Sequence, residues 1–428
     1  MIRRDAYLKE LVASMWNGQV KVVTGIRRCG KSYLLDKIFR GHLYGQGVRD
    51  EDIISIDLDQ IRFANERNPL RLAEYVREKV VEKSRKYYLF IDEIQRCEPV
   101  PNPSLPEGAL ITFYDVLNEF RVYENLDVYV TGSNSKMLST DILTEFRGRG
   151  DEIRVHPLSF SEYVAATERD GRDVLEDYLA FGGMPHAALL GSDEAKMKYL
   201  KGLFAEVYLK DIIERKRVVR GEVLDATLDL LSSAIGSLTN PNNIANVLTT
   251  RLGVATNTNT VRTYVEYLKD AFLFSEAKRF DVRGKAYFDY PNKYYCEDVG
   301  LRNARTGFRE MDRPHLMENV IYNELVRRGF SVDVGVVSSW EKNAKGSSVR
   351  TSREIDFVVN KGAERVYVQS AYRMESDEKM AQELRPFFLT GDAFRRIVIR
   401  GDIGRRSFDQ NGVLHIALVD FLLDETVV

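Results

Sequence analysis

An apolar strand that runs straight into a glycine-rich loop constrains the fold of this chain more than any other feature. Residues 19–24 have strand character, residues 25–32 read G-x-x-x-x-G-K-S, and residues 33–39 have the pattern of a helix. Strand, glycine loop and helix in this order are the context that a phosphate-binding loop requires. The glycines let the backbone turn its N–H groups inward, and the helix directs the positive end of its dipole at a bound phosphate. The sequence therefore predicts a nucleoside triphosphate site in an α/β fold.

The loop provides two kinds of predicted ligand. The ammonium group of Lys31 is expected to reach the β- and γ-phosphates of ATP, and the hydroxyl of Ser32 is expected to bind Mg²⁺. ATP and Mg²⁺ are thus the expected cofactors. The other predicted nucleotide contacts come from neighbouring loop and helix positions, namely Gly25, Ile26, Arg27, Arg28, Cys29, Gly30 and Tyr33.

A second apolar run, residues 87–91, ends in the carboxylates of Asp92 and Glu93. A run without polar alternation is typical of a parallel strand buried on both faces, and such sheets bind ligands at the carboxyl ends of their strands. We expect Asp92 to complete the Mg²⁺ shell with Ser32, and Glu93 to orient and activate the attacking water. The alternative is a strand that merely ends in a solvated acidic turn.

A third strand, residues 127–131, is followed by small polar residues at the same predicted edge of the sheet. Ser133 or Asn134 can hydrogen-bond the γ-phosphate or the water, and can thereby report whether the γ-phosphate is present. Farther along, Arg147 and Arg149 flank a glycine, and the planar guanidinium group suits phosphate oxygens. A solvated basic turn is the competing interpretation for these two arginines.

Strands alternate with helical stretches through the first third of the chain, which is typical of a parallel sheet covered on both faces. Four of the eleven prolines fall in residues 98–108, a density that predicts a loop there. That loop is either a surface insertion or a segment that contacts a partner. The predicted strands are residues 19–24, 52–58, 86–92 and 126–132.

Residues 221–290 read as helix, turn, helix and β-ribbon, which is the pattern of a winged helix. The predicted recognition helix and wing, residues 261–285, hold six basic residues against four acidic ones. A DNA-binding face is normally more strongly basic than this. DNA binding and a purely structural role therefore both stay open for this segment.

The last part of the chain, residues 291–428, has the layout of a restriction-endonuclease-type core, with Glu318 on a helix and Asp356 on a strand. Such a nuclease needs a Glu-x-Lys triplet on the next strand, to complete the metal shell and to support the attacking water. The corresponding triplet here is Gln369-Ser370-Ala371, in which the glutamine is a weak ligand and the lysine is absent. We predict a degenerate nuclease-like domain that does not cleave DNA.

Several motifs occur in one order along the chain: the phosphate loop, the D-E-I-Q of residues 92–95, the T-G-S-N of residues 131–134 and the R-G-R of residues 147–149. Together they resemble the AAA+ superfamily. More closely, the chain is similar to prokaryotic AAA ATPases that carry a C-terminal domain of unknown function. That resemblance covers nearly the whole chain, because it extends to motifs such as residues 181–185 and 294–303.

The resemblance implies roles for residues already singled out. Residues 25–32 are the implied Walker A motif and residues 89–93 the Walker B motif, and Pro185 belongs to an adenine-side lid turn. A ring-like homo-oligomer, with a hexamer favoured, is the implied assembly. The implied sensor is Ser133 or Asn134, and the implied arginine finger is Arg147 or Arg149. The implied domains are an AAA+ core, a helical lid, a winged helix and a nuclease-like α/β domain, at residues 1–158, 159–220, 221–290 and 291–428.

The composition limits the cellular location and the binding partners that we expect for this protein. The chain has 62 Lys and Arg against 64 Asp and Glu, so no global field draws it to nucleic acid or to a membrane. We expect no secretory signal, because the first residues are charged and lack a long apolar core. We also expect no membrane span, because no run of about eighteen apolar residues occurs. The three cysteines lack metal spacing and suit a reducing cytoplasm.

Two classes of function compete at this stage. In the first, the chain hydrolyses ATP to drive a conformational change, on or near DNA or an unknown protein partner. In the second, it hydrolyses ATP slowly and acts as a signalling or scaffold switch, in which the γ-phosphate holds one conformation. An ATP-gated DNA-binding protein is a further alternative, whose signature would be salt-dependent retention of duplex DNA.

Overall fold

A computed structural model describes residues 2–102, 108–132, 150–309, 311–342 and 347–428. These residues form two compact units. The first unit comprises Met1–His156 together with Asp270–Phe272, and the second comprises Pro157–Lys269 together with Leu273–Val428.

The first unit is built on a five-stranded parallel sheet. Apolar runs form its central strands because these strands are buried on both faces. Four of its strands confirm the sequence prediction to within one residue at each end, and the fifth was not predicted. In chain order the five are β1 (Val20–Thr24), β2 (Ile53–Asp57), β3 (Tyr87–Asp92), β6 (Leu126–Thr131) and β7 (Gly150–Arg154), arranged β2-β3-β6-β1-β7.

Helices of this unit cover the sheet with amphipathic faces. Asn68 caps one of them by accepting from the backbone N–H of Leu70, and Pro69 occupies its first turn, where a missing N–H costs nothing. That helix packs Leu72 and Val76 into the core. The helices are α1 (Asp5–Ser14), α2 (Lys31–Tyr33), α3 (Arg40–Gly45), α4 (Pro69–Lys79) and α5 (Phe113–Phe120), with a π-helical segment, Leu34–Phe39, between α2 and α3.

The strand order creates a crevice in this sheet. From β1 the chain goes to β2 at one edge, whereas from the adjacent β6 it goes to β7 at the opposite edge. Two neighbouring strands thus send their connections in opposite directions, and α/β sheets bind ligands at the carboxyl ends of such a pair. The glycine loop begins where β1 ends, and it therefore lies at this crevice.

The prediction of a loop over residues 98–108 is wrong at its start. Val100–Pro101 (β4) pairs antiparallel with Leu110–Ile111 (β5). A proline is tolerated there because a two-stranded hairpin leaves each strand with a free edge, where the missing N–H is not needed.

The second unit begins with helices and continues into a mixed part. Residues 175, 178, 179, 200 and 203, which were predicted to be helical from their spacing, all lie in helical segments, which confirms the periodicity. The helices are α6 (Phe160–Thr167), α7 (Gly171–Phe181), α8 (Pro185–Ala188), α9 (Asp193–Gly202), α10 (Lys210–Arg215), α11 (Gly221–Ser233), α12 (Pro241–Arg251), α13 (Thr258–Asp270), α14 (Val299–Arg305), α15 (Arg313–Arg327), α16 (Asp377–Phe388) and α17 (Leu418–Leu423).

An eight-stranded sheet forms the centre of the second unit, in the order β10-β9-β12-β13-β14-β15-β17-β16. A separate antiparallel pair joins β8 to β11. The strands are β8 (Phe274–Ala277), β9 (Arg279–Asp281), β10 (Ala286–Tyr287), β11 (Lys293–Cys296), β12 (Ser331–Lys342), β13 (Ser348–Lys361), β14 (Glu364–Ala371), β15 (Arg395–Arg400), β16 (Ser407–Phe408) and β17 (Leu414–Ala417).

Strand pairing links the two sides of the boundary expected at residues 290 and 291. β9 and β10 form the predicted ribbon, but β9 also pairs in parallel with β12, so the ribbon is an edge of the large sheet. β8 pairs with β11 across the same boundary. Sequence patterns could not indicate these pairings, because a strand pattern does not show which other strand will be its neighbour. The division into a winged helix and a nuclease-like domain stays a prediction.

Two general expectations bear on the whole set of described residues. No helix among them is both long enough and apolar enough to cross a bilayer. The thiols of Cys29, Cys97 and Cys296 are free and buried, and burial raises the pKa of Cys97 and of Cys296 to about 12.

Candidate active site

The glycine loop has the backbone shape that its sequence predicts. Gly25 and Gly30 have φ values of 134° and 104°, in the region that L-residues rarely adopt. A Cβ atom on Gly25 would lie 2.1 Å from the carbonyl oxygen of Val155, so no other residue fits there. Helix α2 follows Gly30 directly, so its unpaired N–H groups are available to an anion.

Lys31 is buried and turned toward its own loop. Its Nζ donates to the carbonyl oxygens of Gly25 and Ile26, at 2.9 and 3.1 Å. These are bonds to neutral acceptors, so the positive charge of Lys31 is held in the loop without a carboxylate bonded to it. Such an ammonium group can turn to phosphate oxygens without breaking an ion pair.

Ser32 and Asp92 meet at the edge of the sheet, although sixty residues separate them in the chain. The Oγ of Ser32 donates to the Oδ2 of Asp92 at 2.7 Å. The other carboxylate oxygen, Oδ1, accepts from the hydroxyl of Thr131 at the end of β6. Hydroxyl and carboxylate oxygens are the donors that Mg²⁺ prefers, and Ser32 and Asp92 lie close enough to share one ion. The predicted Mg²⁺ ligands therefore fit that ion.

Glu93 has an unusual backbone and a constrained carboxylate. Its φ and ψ are 53° and 50°, a left-handed conformation that is rare for a side chain of this size. Its N–H donates to the Thr131 hydroxyl at 3.0 Å, and its Oε2 accepts from the side-chain amide of Gln95. Burial raises the pKa of Glu93 and the Asp92 charge adds to this, whereas the Lys31 ammonium acts in the opposite direction.

A cavity of about 710 Å³ opens beside the contact between Ser32 and Asp92. Its wall includes Thr131 and two charged side chains of the segment that follows the loop, Asp36 and Arg40. Burial raises the pKa of Asp36, and Asp92 contributes to the same effect. The predicted metal ligands are therefore accessible from an open space lined by polar groups.

Arg4, which no sequence pattern singles out, supports the glycine loop through hydrogen bonds. This arginine is almost fully buried. One terminal nitrogen donates to the carbonyl oxygen of Cys29 at 3.2 Å, and the other donates to that of His156 at 2.6 Å. The ring of Tyr7 lies against the Arg4 guanidinium, and the Tyr7 hydroxyl accepts from the His156 N–H at 3.1 Å. Arg4 and Tyr7 thus hold the loop and the segment that follows β7 together.

Thr131 and Gln95 are two further residues to which the sequence interpretation assigned no role. Thr131 lies in the motif T-G-S-N and Gln95 lies in D-E-I-Q, so each motif contains one site residue more than was predicted from it. Four predicted site residues lie outside the described residues: Ser133, Asn134, Arg147 and Arg149.

The remaining predicted nucleotide contacts differ in exposure. Arg28 and Tyr33 are exposed, and Arg28 has a φ of 67°, whereas Ile26 and Cys29 are buried under the loop. Arg27 is half-buried. The Cys29 Sγ contacts the carbonyl oxygen of Val155 at 3.3 Å, so this thiol is part of the loop's support.

Pro185 lies in the second unit, in the first turn of α8. The turn before it is fixed by Asp298, because the N–H of Gly183 donates to Asp298 Oδ2 at 2.6 Å. Asp298 also caps α14 by accepting from the N–H of Leu301 at 3.0 Å. Burial raises the pKa of Asp298 to about 6, against the opposing effect of these N–H groups.

Glycines make this close contact possible. A Cβ on Gly182 would lie 2.2 Å from an oxygen of Asp298, and one on Gly300 would lie 2.0 Å from the carbonyl oxygen of Phe181. Asn303 adds two bonds, to the carbonyl oxygens of Leu179 and Ala180, both at 2.9 Å. Direct contacts therefore join residues 181–185 to residues 294–303, although more than a hundred residues separate these two motifs in the chain.

The predicted nuclease-type residues also come together, but around a lysine that the sequence interpretation did not consider. Lys293 on β11 is almost fully buried. Its Nζ lies 2.9 Å from a Glu318 oxygen, 2.6 Å from one of Glu354 and 3.7 Å from one of Asp356. The Tyr295 hydroxyl donates to the same Glu318 oxygen at 2.7 Å. We call Lys293, Glu318, Glu354 and Asp356 the carboxylate cluster.

The charges of the carboxylate cluster are strongly coupled. Burial lowers the pKa of Lys293, but the surrounding carboxylates outweigh it and raise that pKa above its usual range. Burial and the Glu318 charge raise the pKa of Asp356. Gln369 lies beside Asp356, whose N–H donates to its Oε1 at 3.3 Å. In the described part of the chain, no group of three or more His, Cys, Asp or Glu side chains is arranged to hold a metal.

Comparison with known proteins agrees with the fold of the first unit. A family profile described as an AAA domain matches residues 17–164, and a domain of unknown function, DUF8612, matches residues 172–312. The chain is also similar to the Walker-type ATPase PABY2304 of Pyrococcus abyssi, with a TM-score of 0.50 and 16% identity, over 72% of this chain and 96% of that one. At this identity the likeness concerns the fold alone.

Two relatives extend over most of the chain. An uncharacterized protein of Methanocaldococcus jannaschii is 25% identical over 395 residues, which are 89% of this chain and 79% of that protein. An uncharacterized protein of Haemophilus influenzae is 32% identical over 428 residues, which are 99% of both chains. The chain therefore belongs to the same family as the Haemophilus influenzae protein, and its N-terminal part is an AAA-type P-loop ATPase domain.

Proposed function

We propose that the chain hydrolyses Mg²⁺–ATP at the glycine loop and uses the hydrolysis to change its conformation. The single observation that carries this proposal is the contact between Ser32 and Asp92, with Glu93 as the next residue. Bound Mg²⁺ would neutralise charge that develops on the phosphates. Ser32 and Asp92 would hold the ion, and Lys31 would leave its loop carbonyls for the β- and γ-phosphates.

Glu93 is the proposed general base. The half-buried Glu93 carboxylate would accept a proton from the attacking water. The Gln95 side-chain amide, which donates to this carboxylate, would hold the carboxylate in position until the reaction. The left-handed backbone of Glu93 is rare for a side chain of this size and supports a specialised role.

Measurements of ATP turnover and of ATP binding separate the roles of Glu93 and Lys31. Glu93→Gln should retain ATP binding and lose turnover by about a hundredfold or more, whereas Lys31→Ala should lose binding. Glu98→Gln is the matched control, because Glu98 is an exposed carboxylate five residues after Glu93, and it should hydrolyse ATP like the wild type. Equal turnover in wild type and Glu93→Gln would remove Glu93 from the mechanism.

The rate of ATP turnover also distinguishes an ATPase that drives conformational change from a slow signalling or scaffold switch. A protein that drives repeated changes should release ADP and turn over steadily, whereas a signalling or scaffold switch should retain one ATP through purification. We favour steady hydrolysis, because Glu93 and the Mg²⁺ ligands are all present. Measurement of nucleotide content and of steady-state turnover on the same sample decides between the two.

We further propose a homo-oligomer, with a hexamer favoured, in which Arg147 or Arg149 reaches the nucleotide of a neighbouring copy and Ser133 or Asn134 senses the γ-phosphate. An arginine supplied in this way can accelerate hydrolysis by about three orders of magnitude or more. Pro185 would contact the adenine side. The proposed location is the cytoplasm, which the buried free thiols suit.

Mixing two inactive variants tests the oligomer. Lys31→Ala keeps its arginines, and a chain with both Arg147→Ala and Arg149→Ala keeps its glycine loop. Each should be inactive alone, and their mixture should regain turnover if the arginines act between copies. Turnover that stays absent in a mixture that sediments as one assembly would contradict the arrangement.

Duplex DNA is a second candidate partner, favoured by one observation. Helices α11, α12 and α13 are followed by the ribbon of β9 and β10, whose connection carries the exposed Arg283 and Lys285. The double variant Arg283→Ala/Lys285→Ala should weaken salt-dependent retention of duplex DNA. We propose no cleavage of that DNA, because a lysine already occupies the carboxylate cluster. Nicking that disappears in Asp356→Ala would overturn this.

A further inference from the structure

Strands β12 and β13 of the large sheet pair with each other and extend beyond the strands on their outer sides, β9 and β14. β12 pairs with β9 only at Val334–Val336, and β13 pairs with β14 only at Phe357–Lys361. Residues 337–342 and 348–353 pair with each other, down to Lys342 opposite Ser348. No other described strand pairs with these two segments. We call residues 337–342 and 348–353 the β-arm.

One face of the β-arm carries an exposed aromatic ring and two positive charges. Directly opposite residues of an antiparallel pair share a face, and alternate residues along a strand do as well. Trp340 lies opposite Arg350, and Lys342 lies two residues farther along. The side chain of Trp340 is 71% exposed, which is a large apolar ring in contact with water.

The rest of this face is small and uncharged. Its other members are Ser338, Ser348 and Ser352, so no acidic residue interrupts the basic pair. The Arg350 guanidinium donates to the Ser338 hydroxyl at 3.2 Å rather than to a carboxylate. The opposite face differs, because it carries Val337 and Val349 and a single cation among its described side chains, Arg353. The chain as a whole has a formal net charge of −2, so this positive face is a local feature.

We propose that this face of the β-arm binds single-stranded nucleic acid. An unpaired base would stack on the Trp340 ring, and Arg350 and Lys342 on either side would neutralise adjacent phosphates, while the serine hydroxyls donate to phosphate oxygens. A stacking aromatic flanked by cations is the arrangement that single-strand binding uses, and it needs bases that are free of a duplex. This surface is additional to the duplex-binding segment proposed above and does not depend on ATP hydrolysis.

The tryptophan content makes a direct measurement possible. The chain has two tryptophans, and the other one, Trp16, donates from its ring nitrogen to the Tyr88 hydroxyl at 3.2 Å in the first unit. Trp16→Phe therefore leaves Trp340 as the sole source of indole fluorescence. Titration of this variant with a thymidine 20-mer should quench the emission, and a uridine 20-mer tests whether RNA binds as well. A 20-base-pair duplex should bind more weakly at equal salt.

Variants on the two faces provide the decisive comparison, with binding followed by anisotropy of labelled oligonucleotide. Trp340→Ala should weaken binding about tenfold to a hundredfold, and Trp340→Phe should keep most of it. Arg350→Ala should weaken binding and lower its salt dependence. Val349→Ala on the opposite face is the matched control and should bind like the wild type.

The outcomes separate this proposal from the others. Binding that is lost in Arg283→Ala/Lys285→Ala but unchanged in Trp340→Ala would overturn the β-arm proposal and leave the duplex-binding proposal standing. Equal losses in Trp340→Ala and Val349→Ala would also overturn it. An absence of quenching with every oligonucleotide would overturn the proposal that the β-arm binds nucleic acid and would favour a protein ligand for this face.

Discussion

The two units each place a lysine near carboxylates, and they use it in opposite ways. In the first unit, Lys31 bonds to backbone carbonyls, while Asp92 and Glu93 bond to hydroxyl and amide groups. In the second, Lys293 contacts three carboxylates directly. The first arrangement leaves cation and anions free to exchange partners for a ligand. The second already holds a cation among its carboxylates, so we expect it to serve the fold rather than to bind a ligand.

The largest expected effect is on stability in the second unit. Lys293→Met should lower the free energy of unfolding by about 3–5 kcal/mol, because it leaves buried carboxylates without their cation. Lys31→Met should change stability far less, since it breaks only bonds to carbonyl groups that water can replace. Denaturant titration of both variants measures the difference.

A second substitution checks the cause. Glu354→Gln in the Lys293→Met background should recover part of the loss, because it removes one of the unpaired charges. Mn²⁺ should also stabilise Lys293→Met and not the wild type, since a divalent cation can replace an ammonium group among carboxylates. If both lysine variants lost equal stability, the contrast between the two units would fail.

A smaller effect is expected at Arg4, whose bonds keep the glycine loop in shape without using Lys31. Arg4→Ala should weaken ATP binding about tenfold, because the carbonyl oxygens of Cys29 and His156 lose a charged donor worth about 1.5–3 kcal/mol each. Arg3→Ala is the matched control, because Arg3 is exposed and pairs only with Asp5 among the described residues. Calorimetric titration with ATP should distinguish the two.

The smallest expected effect concerns the pH dependence of turnover. Glu93 acts as a base only when it is deprotonated, and burial raises its pKa in the folded protein. As the pH falls, kcat should therefore begin to decline at a higher pH than for an ordinary glutamate, whose pKa is about 4.3. The residual turnover of Glu93→Gln should lack this decline. A kcat profile that is flat down to pH 4.5 would contradict the assignment.

Prediction from sequence succeeded where the signal was local. The strand, loop and helix around Lys31 are continuous in the chain, and Asp92 comes directly after an apolar run, so both follow from pattern alone. Their contact, the bond from Ser32 to Asp92, follows from the parallel sheet that was also predicted.

The partners supplied from a distance could not be predicted. Arg4 reaches a carbonyl 25 residues away and another 152 residues away, and a buried arginine in a charged N-terminal segment has no distinguishing pattern. Lys293 likewise lies in a Lys-Tyr-Tyr-Cys segment that reads as an ordinary strand. The triplet that begins at Gln369 has Ala371 where a nuclease of this type has its lysine, whereas the ammonium group of the cluster comes from β11.

The bond from Gly183 to Asp298 has a practical consequence for cutting this protein into parts. A fragment that ends near residue 220, as the family pattern suggests for an ATPase core with its lid, would contain Gly182 and Gly183 but not the carboxylate against which they fit. The helices of such a fragment that follow Pro157 would lose this contact and expose Phe181, which is buried in the intact chain. We therefore expect limited proteolysis and truncation to separate the chain near Pro157, where the second compact unit begins, so that helices α6 to α10 stay with the C-terminal part.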